Sequence, residues 1–216
     1  MHFQFLIEDH SGEILVRAII KKIMTGNPTI TVDYKSFKGI GGFTKRNTVR
    51  ETKDGKLLND LATYMRGFNK SLQKIDAALF VVLDNDKRDP GVFRKELQDV
   101  AQKNNITIDH VFCIAVEEME AWLMGDENAV KTAYPSVKLR ILHSYVQDSI
   151  CDTWEKLADA VYPGGYDKLK KECPTYMEIG KCKSEWAEKI GRHIDLRNNK
   201  SPSFNAFCSE ITQRLS

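Results

Sequence analysis

The sequence predicts an α/β protein, a mainly parallel sheet flanked by helices with a helical C-terminal portion. Two observations carry this expectation. Apolar runs of strand length alternate with segments of helical periodicity over residues 1–125, an order that builds parallel strands joined by right-handed crossovers. After residue 125 no convincing strand follows, and the chain reads as a series of helices. A third observation concerns function: three of the predicted strands run out into acids.

Residues 3–7, FQFLI, form a short strand that ends at Glu8-Asp9. After the loop EDHSG, the segment EILVRAIIKKIM carries apolar side chains at 14, 15, 18, 19 and 23, a helical spacing. Ser11 suits its N-cap, and Lys21 and Lys22 suit the negative end of its dipole. Gly26-Asn27-Pro28 stops it. Residues 29–34, TITVDY, alternate β-branched side chains and read as a strand. A loop with Gly39, Gly41 and Gly42 among many cations leads to a second amphipathic helix, LLNDLATYMRGFNKSL. The strand AALFVVL follows and meets Asp84-Asn85-Asp86. Asp89 then caps the helix GVFRKELQDVAQK with Pro90 in its first turn. DHVFCIAV is the fourth strand and passes into EEMEAWLMGD, read as a helix. Further helices are expected near 126–133, 136–147, 153–161, 165–171, 183–192 and 202–214. Ser201 and Pro202 cap the last of these. The division is an α/β core over 1–125 and a helical portion over 126–216 packed on that core, with no repeat or low-complexity linker between them.

The 216 residues are 42% apolar and 29% charged, the composition of an ordinary globular protein. Thirty-two basic and thirty acidic residues nearly cancel, so charge has to be read locally. From Lys35 to Lys56 seven cations stand against two acids, a local charge of +5 that suits a phosphate backbone. Lys38, Lys45, Arg46 and Arg50 are the nucleic-acid contacts expected there. Five cysteines without a CxxC or Cys/His cluster support neither a zinc site nor a disulfide framework, and Cys113 in VFCIAV reads as a buried apolar residue. The early charges of MHFQFLIEDHSGE do not suit a signal peptide, and no apolar run approaches the ~20 residues needed to span a bilayer. A cytoplasmic setting and no membrane partner are expected. Trp122, Trp154 and Trp186 sit at helical spacings among apolar residues and read as core.

In a parallel sheet, ligands bind at the carboxyl ends of the strands. Glu8-Asp9, then Asp84 and Asp86, then Glu117, Glu118 and Glu120 are delivered to that edge. Alternation along an extended backbone lets Asp84 and Asp86 point the same way. Crowded carboxylates call for a cation, and Mg²⁺ or Mn²⁺ prefers oxygen ligands. A lone DxD after a strand is also the form of a turn with capping aspartates; the convergence of three acid-bearing strand ends favours the metal.

The acid-terminated first strand and the DxD after a later strand resemble the Toprim domain of topoisomerases, primases and the overcoming-lysogenization-defect nucleases, and the stretches FLIEDHSGE, FVVLDNDKRDP, IAVEEMEAWLMGD, KSEWAEKIGRHIDL and NKSPSFNAF carry the resemblance further. They resemble most an uncharacterised prokaryotic Toprim-like family encoded with ABC-type ATPases. The resemblance implies a Toprim, Rossmann-like sheet. It implies Glu8 as metal ligand or general acid/base, Asp84 and Asp86 as metal ligands, and Glu120 of the EAW motif as a further acid of the cluster. It implies Lys183, the lysine of K-x-x-W-A, as the group that stabilises charge on a phosphate. The chain departs from the pattern after Glu8: Asp9 stands where relatives have glycine, and Gly12 where they have a second glutamate. That leaves the second metal's ligands open, with Glu13 the substitute if the loop shifts by one residue.

The expected activity is that of a Mg²⁺- or Mn²⁺-dependent nuclease acting on DNA or RNA. The resemblance adds a role in anti-phage defence with an ATPase partner, and a homo-oligomer stays open. A non-catalytic nucleic-acid-binding or sensor module with a degenerate metal site is the alternative. A nucleotide-sugar transferase, whose DxD would hold a Mn²⁺-diphosphate, leaves Glu8 and Lys183 without a role.

Overall fold

The structure is a computed structural model that describes residues 1–25, 29–43, 55–149 and 152–215. Four parallel strands, β1 (His2–Ile7), β2 (Thr31–Ser36), β3 (Ala77–Asp84) and β4 (Asp109–Ala115), form one sheet in the order β2-β1-β3-β4. Helices α1 (His10–Met24), α2 (Leu57–Leu72) and α3 (Pro90–Lys103) connect them. Seven helices follow β4 among the described residues: α4 (Glu120–Met124), α5 (Glu127–Ala133), α6 (Leu139–Ser144), α7 (Thr153–Val161), α8 (Gly165–Glu172), α9 (Tyr176–Gly191) and α10 (Pro202–Thr212). The α/β class and the helical C-terminal portion are as the sequence predicts.

The central strands β1 and β3 are apolar on both faces because both faces are covered. Phe3, Phe5, Ile7, Ala78, Phe80 and Val82 share one core with α1 and the C-terminal helices. Leu6, Leu79, Val81 and Leu83 pack in a second core with α2 and α3. The edge strand β2 alternates exposed and half-covered residues. It runs two residues later than its β-branched run suggests, because the register His2↔Thr31 to Ile7↔Ser36 carries it to the end of β1. Trp122 lies between Phe204 and Phe207, with ring centroids 5.8 and 4.9 Å away, and ties α4 and α10 into the first core. Trp122 and Trp186 are buried as expected, while Trp154 is partly covered and lies edge-on to Tyr166. Cys113 is buried, and the free thiols of Cys173 and Cys182 lie 3.8 Å apart.

The helix ends correct three expectations. Asp9, not Ser11, caps α1: its carboxylate accepts from Gly12 N at 2.7 Å, and the Ser11 hydroxyl donates to both its oxygens. The helix after β4 begins at Glu120 rather than Glu117, because Glu117 turns to φ +61° and sends its carboxylate to the start of α7. Helix α9 begins at Tyr176, seven residues before the expected start, where Thr175 and Glu178 form a reciprocal capping box. The caps expected at Asp89-Pro90 and Ser201-Pro202 are present.

The C-terminal motifs interlock through one close approach. Asn199 Nδ2 donates to the Trp122 carbonyl at 2.7 Å, and Trp122 Nε1 donates to Ser203 Oγ at 2.9 Å. Gly125 makes room for this: a Cβ there would stand 2.0 Å from Asn199 Oδ1. Gly125→Ala should therefore cost about 1–3 kcal/mol through overpacking and lower the melting temperature by several degrees. An unchanged melting temperature would show that Asn199 swings aside freely. Among the described residues no helix is long and apolar enough to cross a membrane.

Candidate functional site

Strand β1 lies between β2 and β3, so the chain leaves β1 to one side through α1 and later returns to its other side. That reversal sets the carboxyl ends of β1 and β3 at a topological switch point, the usual ligand position in such sheets. Glu8 and Asp84 stand at this switch point. Glu8 is fixed by backbone: its N–H donates to Val82 O at 3.1 Å, and its carbonyl accepts from Gly39 N at 2.9 Å. Its Oε2 accepts from the Asp84 N–H at 2.9 Å. Asp84 ends β3, and its Oδ1 is buried with no hydrogen-bond partner.

The other walls come from β4 and α9. Beyond β4, Glu118 accepts from Trp154 N at 3.1 Å, and Glu120 begins α4 with a side chain 5% exposed. Helix α9 lies close against α1, where Gly191 leaves space for Leu15 and Ala18. Trp186, Ala187 and Ile190 bury its inner face, and Lys183 follows the same face toward the acids. The Lys183 ammonium lies 3.2 Å from Glu120 Oε2, 3.5 Å from Glu118 Oε1 and 5.9 Å from the Trp154 ring centre. Its side chain is 17% exposed.

The charges are strongly coupled. Burial pushes the Glu8 and Glu118 carboxyls up to about 8; a backbone hydrogen bond from Asp84 opposes this at Glu8, and Lys183 opposes it at Glu118. Burial, then repulsion from Glu8 and Glu120, holds Asp84 well above the usual carboxylate range. Glu120 is raised by burial in spite of Lys183. Burial disfavours the Lys183 ammonium, but Glu120, Glu118, Asp84 and Asp9 outweigh it and hold its pKa well above that of a free lysine. Glu155 is also raised by burial, and its Oε2 has no partner.

These shifts fix the sign of a pH dependence. Between the ordinary glutamate value of 4.5 and about 8, Glu8 and Glu118 keep a proton in the folded chain and lose it in the unfolded chain. Their stabilisation is full below 4.5 and is lost as pH rises toward 8. The metal-free protein, melted in EDTA, should lose stability from pH 5 to pH 8, and Glu8→Gln should make that decline shallower. A wild-type melting temperature that climbs over this interval would contradict the shifts.

The cleft brings together Glu8, Asp84, Glu120 and Lys183 of the residues singled out in sequence. Asp86 lies near, since it acts electrostatically on Glu8, but the extended alternation that would align it with Asp84 ends at Asn85. Asp86 has φ +49°, donates its N–H to Glu117 O and pairs with Arg88 Nη1 at 2.8 Å. Glu13 is held elsewhere: it accepts from Arg17 Nε at 2.7 Å and Ser36 Oγ at 2.5 Å. Burial opposes its ionisation, yet these partners keep its carboxyl below the usual range. Gly12 is crowded: a Cβ there would stand 2.9 Å from Met119 Sδ and 3.1 Å from Ile7 Cγ2, so the glutamate of the resembled pattern would have to displace Met119. Exposed Lys38 precedes Gly39, whose N–H holds the Glu8 carbonyl, so it lies on the segment beside the cleft. Lys45, Arg46 and Arg50 lie outside the described residues.

Glu118 is among the strand-end acids of the sequence but outside the expected ligand set, and Glu155 was not singled out at all. A glutamate after a strand reads first as a partner of the helix dipole, and Glu155 sits in a helix with no motif around it. Glu117 is structural: it accepts from Asp152 N at 2.9 Å, Thr153 N at 3.0 Å and the Thr153 hydroxyl, and so caps α7.

A hard divalent cation suits this donor set of carboxylate oxygens, with Asp84 Oδ1 buried and unpartnered. Among the described residues no three acid, histidine or cysteine side chains already stand in the arrangement of a metal centre, and Lys183 lies among the acids. Fold and site thus define an α/β protein with an acidic, lysine-bearing cleft at the switch point of a parallel sheet. The family model described as Domain of unknown function (DUF4276) matches residues 7–212, and the chain belongs to that family. No curated protein and no solved structure matches it.

Proposed function

We propose that the cleft is the site of a Mg²⁺- or Mn²⁺-dependent phosphodiesterase that cuts nucleic acid. The observation that supports this best is one lysine set among buried carboxyls whose number exceeds its charge, beside an unpartnered Asp84 oxygen. Glu8, Asp84 and Glu120 would hold the ion, which would polarise a phosphoryl oxygen when bound, while Asp86 stays paired with Arg88. Without the ion, burial pushes the Glu8 carboxyl up to about 8, so Glu8 would give up that proton on taking the ion; general acid or base at the phosphate is the other role the resemblance implies for it. Lys183 keeps its charge near neutrality and is placed to neutralise charge building on a phosphate oxygen. The resemblance to Toprim nucleases supports the same assignment, and the ATPase partner and defence role rest on that resemblance alone.

Incubation with plasmid, linear duplex, single strands and tRNA in Mg²⁺ or Mn²⁺, beside Asp84→Asn, tests the reading. Cleavage by the wild type and none by the variant is expected. Lys183 pairing with both Glu118 and Glu120 favours one other reading, a non-catalytic module that holds nucleic acid. Metal-independent binding without cleavage of any substrate would decide for it.

A further inference from the structure

We propose that Tyr176, Gly180 and Lys183 form a shelf on α9 that takes an unpaired nucleobase of the substrate strand. The proposal rests on the nucleic-acid reading of the cleft and adds a strand preference to it. The three residues stand at i, i+4 and i+7, one stripe of the helix, and span about 10 Å of its axis. The inner end of the stripe is the Lys183 ammonium among the acids. The outer end is Tyr176, 82% exposed, with no ring of the described residues stacked on it. Two turns before Lys183 on the same stripe, the ring stands on the side of α9 that bears the ammonium, and its hydroxyl lies within electrostatic reach of Lys183, Asp9, Glu8 and Glu118.

Gly180 lies between them, and a Cβ there would meet nothing within 4 Å. Packing therefore does not require a glycine, and glycine is a weak helix former. Its effect is to leave bare backbone between an aromatic face and an ammonium. A flat base on the ring, with its phosphate toward the ammonium, matches that sequence of surfaces. Bases stack on a side chain only when freed from their own stack, so the shelf selects single strands or frayed ends.

The test is fluorescence anisotropy in Mg²⁺ with a labelled phosphorothioate oligothymidylate, which resists hydrolysis, and with its duplex. The wild type should bind the single strand more tightly than the duplex. Tyr176→Ala should weaken single-strand binding about tenfold or more and leave duplex binding within about twofold. Tyr176→Phe should retain binding. Gly180→Leu, a good helix former that fills the gap, should weaken it as Tyr176→Ala does. Emission from Tyr176→Trp should be quenched by the single strand. Equal single-strand binding by wild type and Tyr176→Ala overturns the shelf, as does a wild type without strand preference. A wild type that binds through Tyr176 but leaves an unmodified strand intact in Mg²⁺ and Mn²⁺ keeps the shelf and overturns the phosphodiesterase. Binding to neither strand form overturns both.

Discussion

Lys183→Met should destabilise the metal-free protein by about 3–5 kcal/mol at pH 8, because it removes the cation from a buried ionic cluster and leaves carboxylates facing one another. Lys183 lies 3.2 and 3.5 Å from Glu120 and Glu118 and also acts on Asp84 and Asp9. The loss should be much smaller at pH 6, where Glu8 and Glu118, with carboxyls near 8, are protonated. Added Mn²⁺ should recover part of it by supplying charge to the same acids. On the proposed nuclease reading, turnover should still fall about a hundredfold or more, because a divalent ion would not replace the ammonium proposed to face the phosphate. Denaturant unfolding at the two pH values measures the first effect. Equal destabilisation at both would mean that Lys183 contributes packing through its stem rather than charge.

Asp84→Asn should have the opposite profile. Asp84 ends a strand, its Oδ1 has no partner, and Glu8 and Glu120 repel it. Neutralising it should leave the metal-free melting temperature at pH 8 unchanged or raise it. The same change should remove a ligand and lower metal-dependent turnover about a thousandfold or more. A marked fall in the metal-free melting temperature would instead identify Asp84 as a structural residue of the β3 turn.

The contrast between these two residues reflects what the chain itself discloses. The runs at 78–83 and 111–115 are uninterruptedly apolar, that at 3–7 is broken only by Gln4, and acids follow each, so the parallel sheet and its acidic edge were legible. The direction of Asp86 was not, because a left-handed residue inside a DxD leaves no trace in an apolar pattern. Gly12 and Glu13 illustrate a different limit. The choice between cap, ligand and ion-pair partner depends on Met119, Ser36 and Arg17, which tertiary packing alone brings there. The start of α9 was written in the sequence as Thr175-Tyr176-Met177-Glu178, a capping box that the apolar periodicity of KSEWAEKI overshadowed. Reading that box places Lys183 mid-helix rather than at a helix start. The burial of Glu118, and Glu155 altogether, were beyond reach because they depend on α7 packing at the exit of β4.

The most direct measurement is titration calorimetry of Mn²⁺ into the metal-free protein at pH 7, in two buffers of different ionisation enthalpy, with Asp84→Asn in parallel. Saturable binding by the wild type with proton release is expected, since Glu8, raised to about 8 by burial, must ionise to receive the ion, and no binding by the variant. Equal Mn²⁺ binding by the two proteins, or none by the wild type, would contradict a divalent-cation site at the β1–β3 switch point.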